Sequence, residues 1–160
     1  MNWILHRSKK VSGHTYLGEI LTPLLDYIDN YNWILSDLDG GAHYDLPIDY
    51  EHDYFILNSN DFRKILSSDI QFYWGTIIGV PISVEIELDE NALPYAEGNG
   101  IIWKDGNLQY PNADIEIDCV DSGYTIVKFD SQNLSNKFID YFIEAKPLEK
   151  FTHKYLKFVK

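Results

Sequence analysis

The stretch I-E-I-D-C-V-D-S-G-Y-T-I-V-K-F, residues 115 to 129, decides the fold class. Ile115, Ile117 and Cys119 alternate with Glu116 and Asp118, the period of a strand with one apolar face. Asp121-Ser122-Gly123 supplies turn residues, and Tyr124 to Phe129 is rich in β-formers and returns as a second strand. Two strands joined this closely make an antiparallel hairpin.

Toward the C-terminus, Ser131 is placed to cap a helix over Asn133 to Ala145, with Leu134, Phe138, Ile139 and Phe142 on one face. Pro147 is expected to end it. The basic segment Leu148 to Lys160 follows as a further helix or strand. Toward the N-terminus, Ile82, Val84, Ile86 and Leu88 alternate with Ser83, Glu85 and Glu87, which predicts a half-buried antiparallel strand with an acidic outer face. Ile70 to Ile78 reads as its partner across a turn at Gly79-Val80-Pro81. Residues 89 to 114 are rich in Gly and Pro, and Asp105-Gly106 or Gly106-Asn107 suggests a small hairpin over Ile101 to Tyr110.

Earlier in the chain, Leu17, Ile20, Leu21, Leu24, Leu25 and Ile28 form a helical stripe within Tyr16 to Asp29, with Thr15 as N-cap. Pro23 interrupts it, so the helix either kinks there or restarts at Thr22 with Pro23 in its first turn. Tyr31 to Leu35 and Tyr54 to Leu57 read as strands. Asp61 to Ser67 reads as a short helix capped by Ser59 or Asn60. Together these elements predict one α+β domain over residues 1–160: a mainly antiparallel, twisted sheet of about five to seven strands packed with two or three helices.

Charge is the most unequal feature. Between Lys10 and Lys104 the only Lys or Arg residues are Arg63 and Lys64, while residues 11 to 103 hold sixteen Asp and Glu. Ser36 to Asp53 alone has six acids and two His, with no Lys or Arg. The net charge of −12 repels nucleic-acid phosphates and anionic lipid, which excludes nucleic acid and membrane surfaces as expected partners. Apolar residues at 45% argue against disorder. One cysteine, Cys119, cannot form an internal disulfide, and the first ten residues do not have the order of a signal peptide; both fit a cytoplasmic protein. Its phase with Ile115 and Ile117 makes Cys119 a buried small hydrophobe rather than a nucleophile.

Catalytic motifs do not compete with this charge pattern. Asp37-Leu38-Asp39-Gly40 begins like a calcium loop, but Gly41 and Ile48 stand where that loop requires an oxygen ligand and a Glu. His43, Asp45, Asp49 and His52 are metal-ligand types at a spacing that matches no zinc pattern. No G-x-S-x-G, phosphate loop or H-E-x-x-H occurs. No cofactor and no catalytic residue is expected.

In length, acidity and aromatic content the chain resembles bacterial toxin-immunity proteins of the contact-dependent inhibition or polymorphic toxin type. L-G-E-I-L-T-P at residues 17–23, N-W-I at 32–34 and D-C-V-D-S-G-Y-T-I-V at 118–127 are also similar, in order, to a family of small uncharacterised Bacillus-type proteins. That second similarity carries no activity. The first implies an inhibitor of a basic cognate toxin, a nuclease for instance, whose phosphate-binding cleft an acidic surface can occupy. The expected contact residues are Asp37, Asp39, Tyr44, Asp45, Asp49, Tyr50, Glu51 and Asp53, with Trp103 and Tyr110 as aromatic anchors from Gly/Pro-rich chain. The alternative is a small-ligand- or metal-binding protein, or an enzyme, that uses the same acidic loop with His43 and His52. Oligomeric state, and whether the basic C-terminal tail packs on the acidic half, stay open at this level.

Overall fold

The computed structural model describes residues 1–41 and 45–155, with the backbone only for 152–155. Among the described residues seven strands form one antiparallel sheet: β1 (Asn2–Leu5), β2 (Tyr31–Gly40), β3 (Tyr54–Leu57), β4 (Phe72–Pro81), β5 (Ile115–Val120), β6 (Tyr124–Phe129) and β7 (Lys146–Pro147), in the order β3-β2-β4-β5-β6-β1-β7. The α-helices are α1 (Leu17–Ile20), α2 (Ser59–Leu66), α3 (Gln132–Tyr141) and α4 (Leu148–Tyr155). The fold is α+β. No helix among the described residues is long and apolar enough to cross a membrane.

The β5–β6 hairpin forms as its sequence predicts, with Ile115 opposite Phe129 and Val120 opposite Tyr124. Asp121 and Ser122 both take left-handed backbone, with φ of 48° and 53°, and Gly123 N–H closes the turn on Val120 O at 3.0 Å. One face of the sheet carries the main core. There Leu35, Ile77, Ile117, Cys119 and Val127 meet Leu24, Ile28, Phe62 and Phe138 from the helical segments. Trp33 stacks on Phe62 with ring centroids 4.1 Å apart. Cys119 is fully buried, and burial raises its thiol far out of the reactive range.

Pro23 acts by restarting the helix: α1 stops at Ile20, and a 3-10 helix over Thr22–Asn30 begins with Pro in its first turn. Thr15 does not cap α1. Its φ is 68°, and its hydroxyl donates to the His14 carbonyl instead. Asn58, one residue earlier than expected, caps α2 by accepting from Asp61 N–H, and Ser131 caps α3 by accepting from Leu134 N–H. Pro147 lies in β7 rather than ending α3, which closes at Tyr141. Gly18 lets α1 lie against the end of α2, because a Cβ there would sit 2.0 Å from the Leu66 carbonyl oxygen.

The second face of the sheet is covered by residues 82 to 114 and by α4. Ile82 to Leu88 is not a strand; β4 runs on to Pro81, and no turn forms at Gly79-Val80-Pro81. The alternation still has meaning. Val84, Ile86 and Leu88 pack toward Ile34, Ile78 and Val80, while Glu85 and Glu87 face solvent. Residues 101 to 110 form no hairpin either; Gly100–Trp103 is a turn of 3-10 helix.

Under this cover lies a group of charged and polar side chains with no solvent exposure. Glu116 and Asp118 project from β5, Lys128 from β6 and Thr76 from β4, all on the same face and each across from another member. Lys128 Nζ is 3.2 Å from Glu116 Oε1 and 3.9 Å from Asp118 Oδ2, and it donates to the Asn107 carbonyl at 2.9 Å. Thr76 Oγ1 donates to Asp118 Oδ1 at 2.9 Å, and Gln109 donates from its backbone N–H and its amide to Glu116.

Two outcomes follow from this arrangement. Lys128→Met leaves a buried carboxylate uncompensated and is expected to cost about 3–5 kcal/mol in urea unfolding. Burial, and then the neighbouring Glu116 charge, raise the Asp118 carboxyl well above the usual carboxylate range, against the pull of Lys128. A carboxyl raised on folding contributes its stability while protonated. That contribution is complete below the unfolded value, about 3.9, and is lost as pH climbs through the folded one. Asp118→Asn is therefore expected to raise the melting temperature at pH 8, with the gain shrinking as the buffer is taken toward pH 4.

Candidate functional site

The acidic stretch is anchored by the strand that precedes it. β2 continues through Asp37 and Asp39 to Gly40, beyond the Leu35 end that its aromatic and β-branched residues predict. Its pairing with β4 shifts register between Ser36 and Asp39, and Asp37 has φ of 54°, the signature of a bulge. The bulge swings Leu38 over Gly75, where a Cβ would come within 2.4 Å of Leu38 Cδ2.

The bulge turns the Asp37 carboxylate toward the cover. Its Oδ2 accepts from both Ala96 N–H and Glu97 N–H at 2.9 Å, and Ser36 Oγ donates to the Pro94 carbonyl at 2.7 Å. Two segments far apart in sequence, 37–53 and 89–97, are thereby brought together. The first contributes six acids and the second adds Asp89, Glu90 and Glu97, with no Lys or Arg in either.

The connection from β2 to β3 is ordered by its own side chains. Asp49 Oδ1 accepts from Glu51 N–H at 2.9 Å and His52 N–H at 3.2 Å, and its Oδ2 lies 2.6 Å from His52 Nδ1. Desolvation pushes the Asp49 carboxyl up, but the hydrogen bonds from Glu51 and His52 outweigh it and hold the group below the usual range. Tyr50 donates its hydroxyl to the Gly41 carbonyl at 2.8 Å. Burial, then the charge of Asp39 and the nearby Tyr73, raise that phenol, which keeps it a neutral donor.

Two adjoining clefts open between these segments. One, of about 340 Å³, is lined by Asp37, Leu38, Tyr50, His52, Asp53, Leu93, Pro94 and Tyr95. The other, of about 530 Å³, is lined by His52, Asp53, Tyr54, Glu90, Asn91 and Leu93. Carboxylates and tyrosine rings share these walls, a combination that suits Lys or Arg side chains of a partner. Ile56, on the outer strand β3, is exposed nearby in the fold at 44%.

The residues expected at the interface divide in the structure. Asp37, Tyr50 and Asp53 line the first cleft. Asp39 and Glu51 are exposed, Asp49 is partly so, and Asp45 faces solvent on the same loop. Tyr44 and His43 lie outside the described residues. Trp103 is elsewhere, packed with Tyr124 and Phe151, and it is partly buried. Tyr110 is corrected from a loop anchor to a core residue. It is 8% exposed, packs with Ile34, Ile78 and Val80, and its hydroxyl accepts from Glu87 N–H. This Gly/Pro-rich chain is a cover that turns Tyr110 inward, packs Trp103 partly buried and leaves Tyr95 exposed.

Tyr54, Glu90 and Leu93 join the site without having been singled out by sequence. Among the described residues no three or more His, Cys, Asp or Glu side chains gather to hold a metal ion. No family model, curated protein or solved structure matches the chain.

Asp37→Ala frees two backbone N–H groups at once. The expected cost is about 1–2 kcal/mol, with faster amide exchange at Ala96 and Glu97 than at Ile117 in the sheet centre.

Proposed function

We propose that the chain is an inhibitor of the toxin-immunity kind that binds and neutralises a basic partner protein, a nuclease domain for instance, through its acidic end. One observation carries this reading: the Asp37 carboxylate joins two acid-only segments into a single surface with tyrosine-lined clefts. Like charges placed together against their own repulsion need a compensating use, and a cationic partner provides one. Such a surface accelerates encounter by about 10- to 1,000-fold at low salt and fits Lys and Arg side chains with aromatic faces and carboxylates.

The test uses the native host's own proteins. Capture with the intact chain is expected to bring down one basic protein whose toxicity the chain suppresses when the two are co-expressed. Asp45→Lys combined with Asp49→Lys is expected to slow association with that protein by about tenfold or more at low salt and to flatten the dependence on ionic strength. Unchanged association kinetics would refute the acidic end as the docking surface, and a captured partner with no toxic activity would refute the inhibitor reading.

A further inference from the structure

Cations are few in this chain, and two of them face one cleft at the other edge of the sheet. Ile4 of β1 and Lys146 of β7 are register partners, so their side chains rise on the same face. α4 lays Phe151 beside them. Ile4, His6, Arg7, Glu144, Lys146 and Phe151 line a cleft of about 190 Å³. Its apolar wall is held firmly. Ile4 is 1% exposed, His6 stacks on Tyr124 at 4.5 Å between centroids, and Phe151 meets the edge of Tyr124 at 5.6 Å and stacks on Trp103 at 6.3 Å. Arg7, Lys146 and Glu144 are the exposed charged residues of its lining. Among the described residues none of these three makes an ion pair, so they do not neutralise one another.

We propose that this cleft binds a small aromatic carboxylate, with the ring against Phe151 and the carboxylate between Arg7 and Lys146. Size sets the upper bound: sites for drug-sized ligands begin at about 300 Å³, so this one takes a single ring and excludes a nucleotide. Chemistry sets the charged end, because a guanidinium is a fork of donors matched to a carboxylate or phosphate. Glu144 then decides between those two. A carboxylate in the lining penalises a second negative charge on the ligand, which favours a monoanion over a phosphate monoester.

The experiment titrates the full-length chain with benzoate, phenyl phosphate and the neutral benzamide, followed by amide chemical shifts. Benzoate is expected to shift the amides of Ile4 to Arg7 and of Lys146, with benzamide about tenfold weaker or more. Arg7→Gln with Lys146→Gln is expected to weaken benzoate about tenfold or more while leaving the melting temperature in place, since both side chains are exposed. Glu144→Gln is expected to strengthen both anions and to narrow the gap between benzoate and phenyl phosphate. Benzamide binding as well as benzoate, no benzoate-induced shift at about 10 mM, the weak end for so small a ligand, or an unaltered double variant would each overturn the proposal.

Discussion

An ammonium group with no solvent exposure has to be answered by fixed polar atoms, and Lys128 imposes that condition at the centre of the sheet. Glu116 faces it across the β5–β6 ladder, and Asp118 lies two pairs further along, on the same face. Those two strands cannot complete the coordination alone. The Asn107 carbonyl and the Gln109 amide come from the covering segment and close the group from above. Residues 82 to 114 contain almost no regular structure, so their own backbone hydrogen bonds do not dictate their path. Polar anchors do so instead, together with the inward side chains Val84, Ile86, Leu88 and Tyr110. The apolar packing on this face is accordingly split into two clusters, with the charged group between them.

The course of the cover explains the charge distribution. It leaves β4 near Asn30, crosses the face, and reaches the bulge in β2, where Asp37 fixes residues 96 and 97. That path delivers Asp89, Glu90 and Glu97 to the loop already holding six acids. Lys146 belongs to β7, the opposite outer strand from β3, so this part of the basic C-terminal segment is held away from the acidic loop by the width of the sheet. The side chains of Lys154, Lys157 and Lys160 lie outside the described residues.

What the sequence made legible was local. The β5–β6 hairpin could be read because its alternation and its turn residues agree, and Tyr54–Leu57 because turn-rich chain bounds a short run of β-formers on both sides. Alternation at Ile82 to Leu88 sorted Val84, Ile86 and Leu88 inward and Glu85 and Glu87 outward, but it misplaced Ile82, which is 63% exposed. It reported one covered face, which an extended segment lying on a sheet has as surely as a strand within one, and it carried no information about hydrogen-bond partners. The same limit hid the buried charges: the period shows that Glu116 and Asp118 share a face, but not what lies over that face. Tyr110 looked like a surface anchor because its neighbours are Gly and Pro, yet those residues served to route the chain over the core. The meeting of 37–53 with 89–97 depends on one bulge and two hydrogen bonds between residues about sixty apart, and no local pattern encodes it.

Strand β3 ends the sheet with the sequence Tyr-Phe-Ile-Leu, which has none of the lysines or prolines that commonly discourage edge-to-edge pairing. The carboxylates that flank it, Asp53 at its start and Glu90 across the cleft, supply a different safeguard, since a second copy approaching this edge brings the same charges with it. Protection of this kind is a property of the medium as much as of the chain. It reaches only about 8 Å at physiological ionic strength and shortens further in concentrated salt, so the molecule's resistance to self-assembly along β3 is set by the same ions that govern how fast it meets anything cationic.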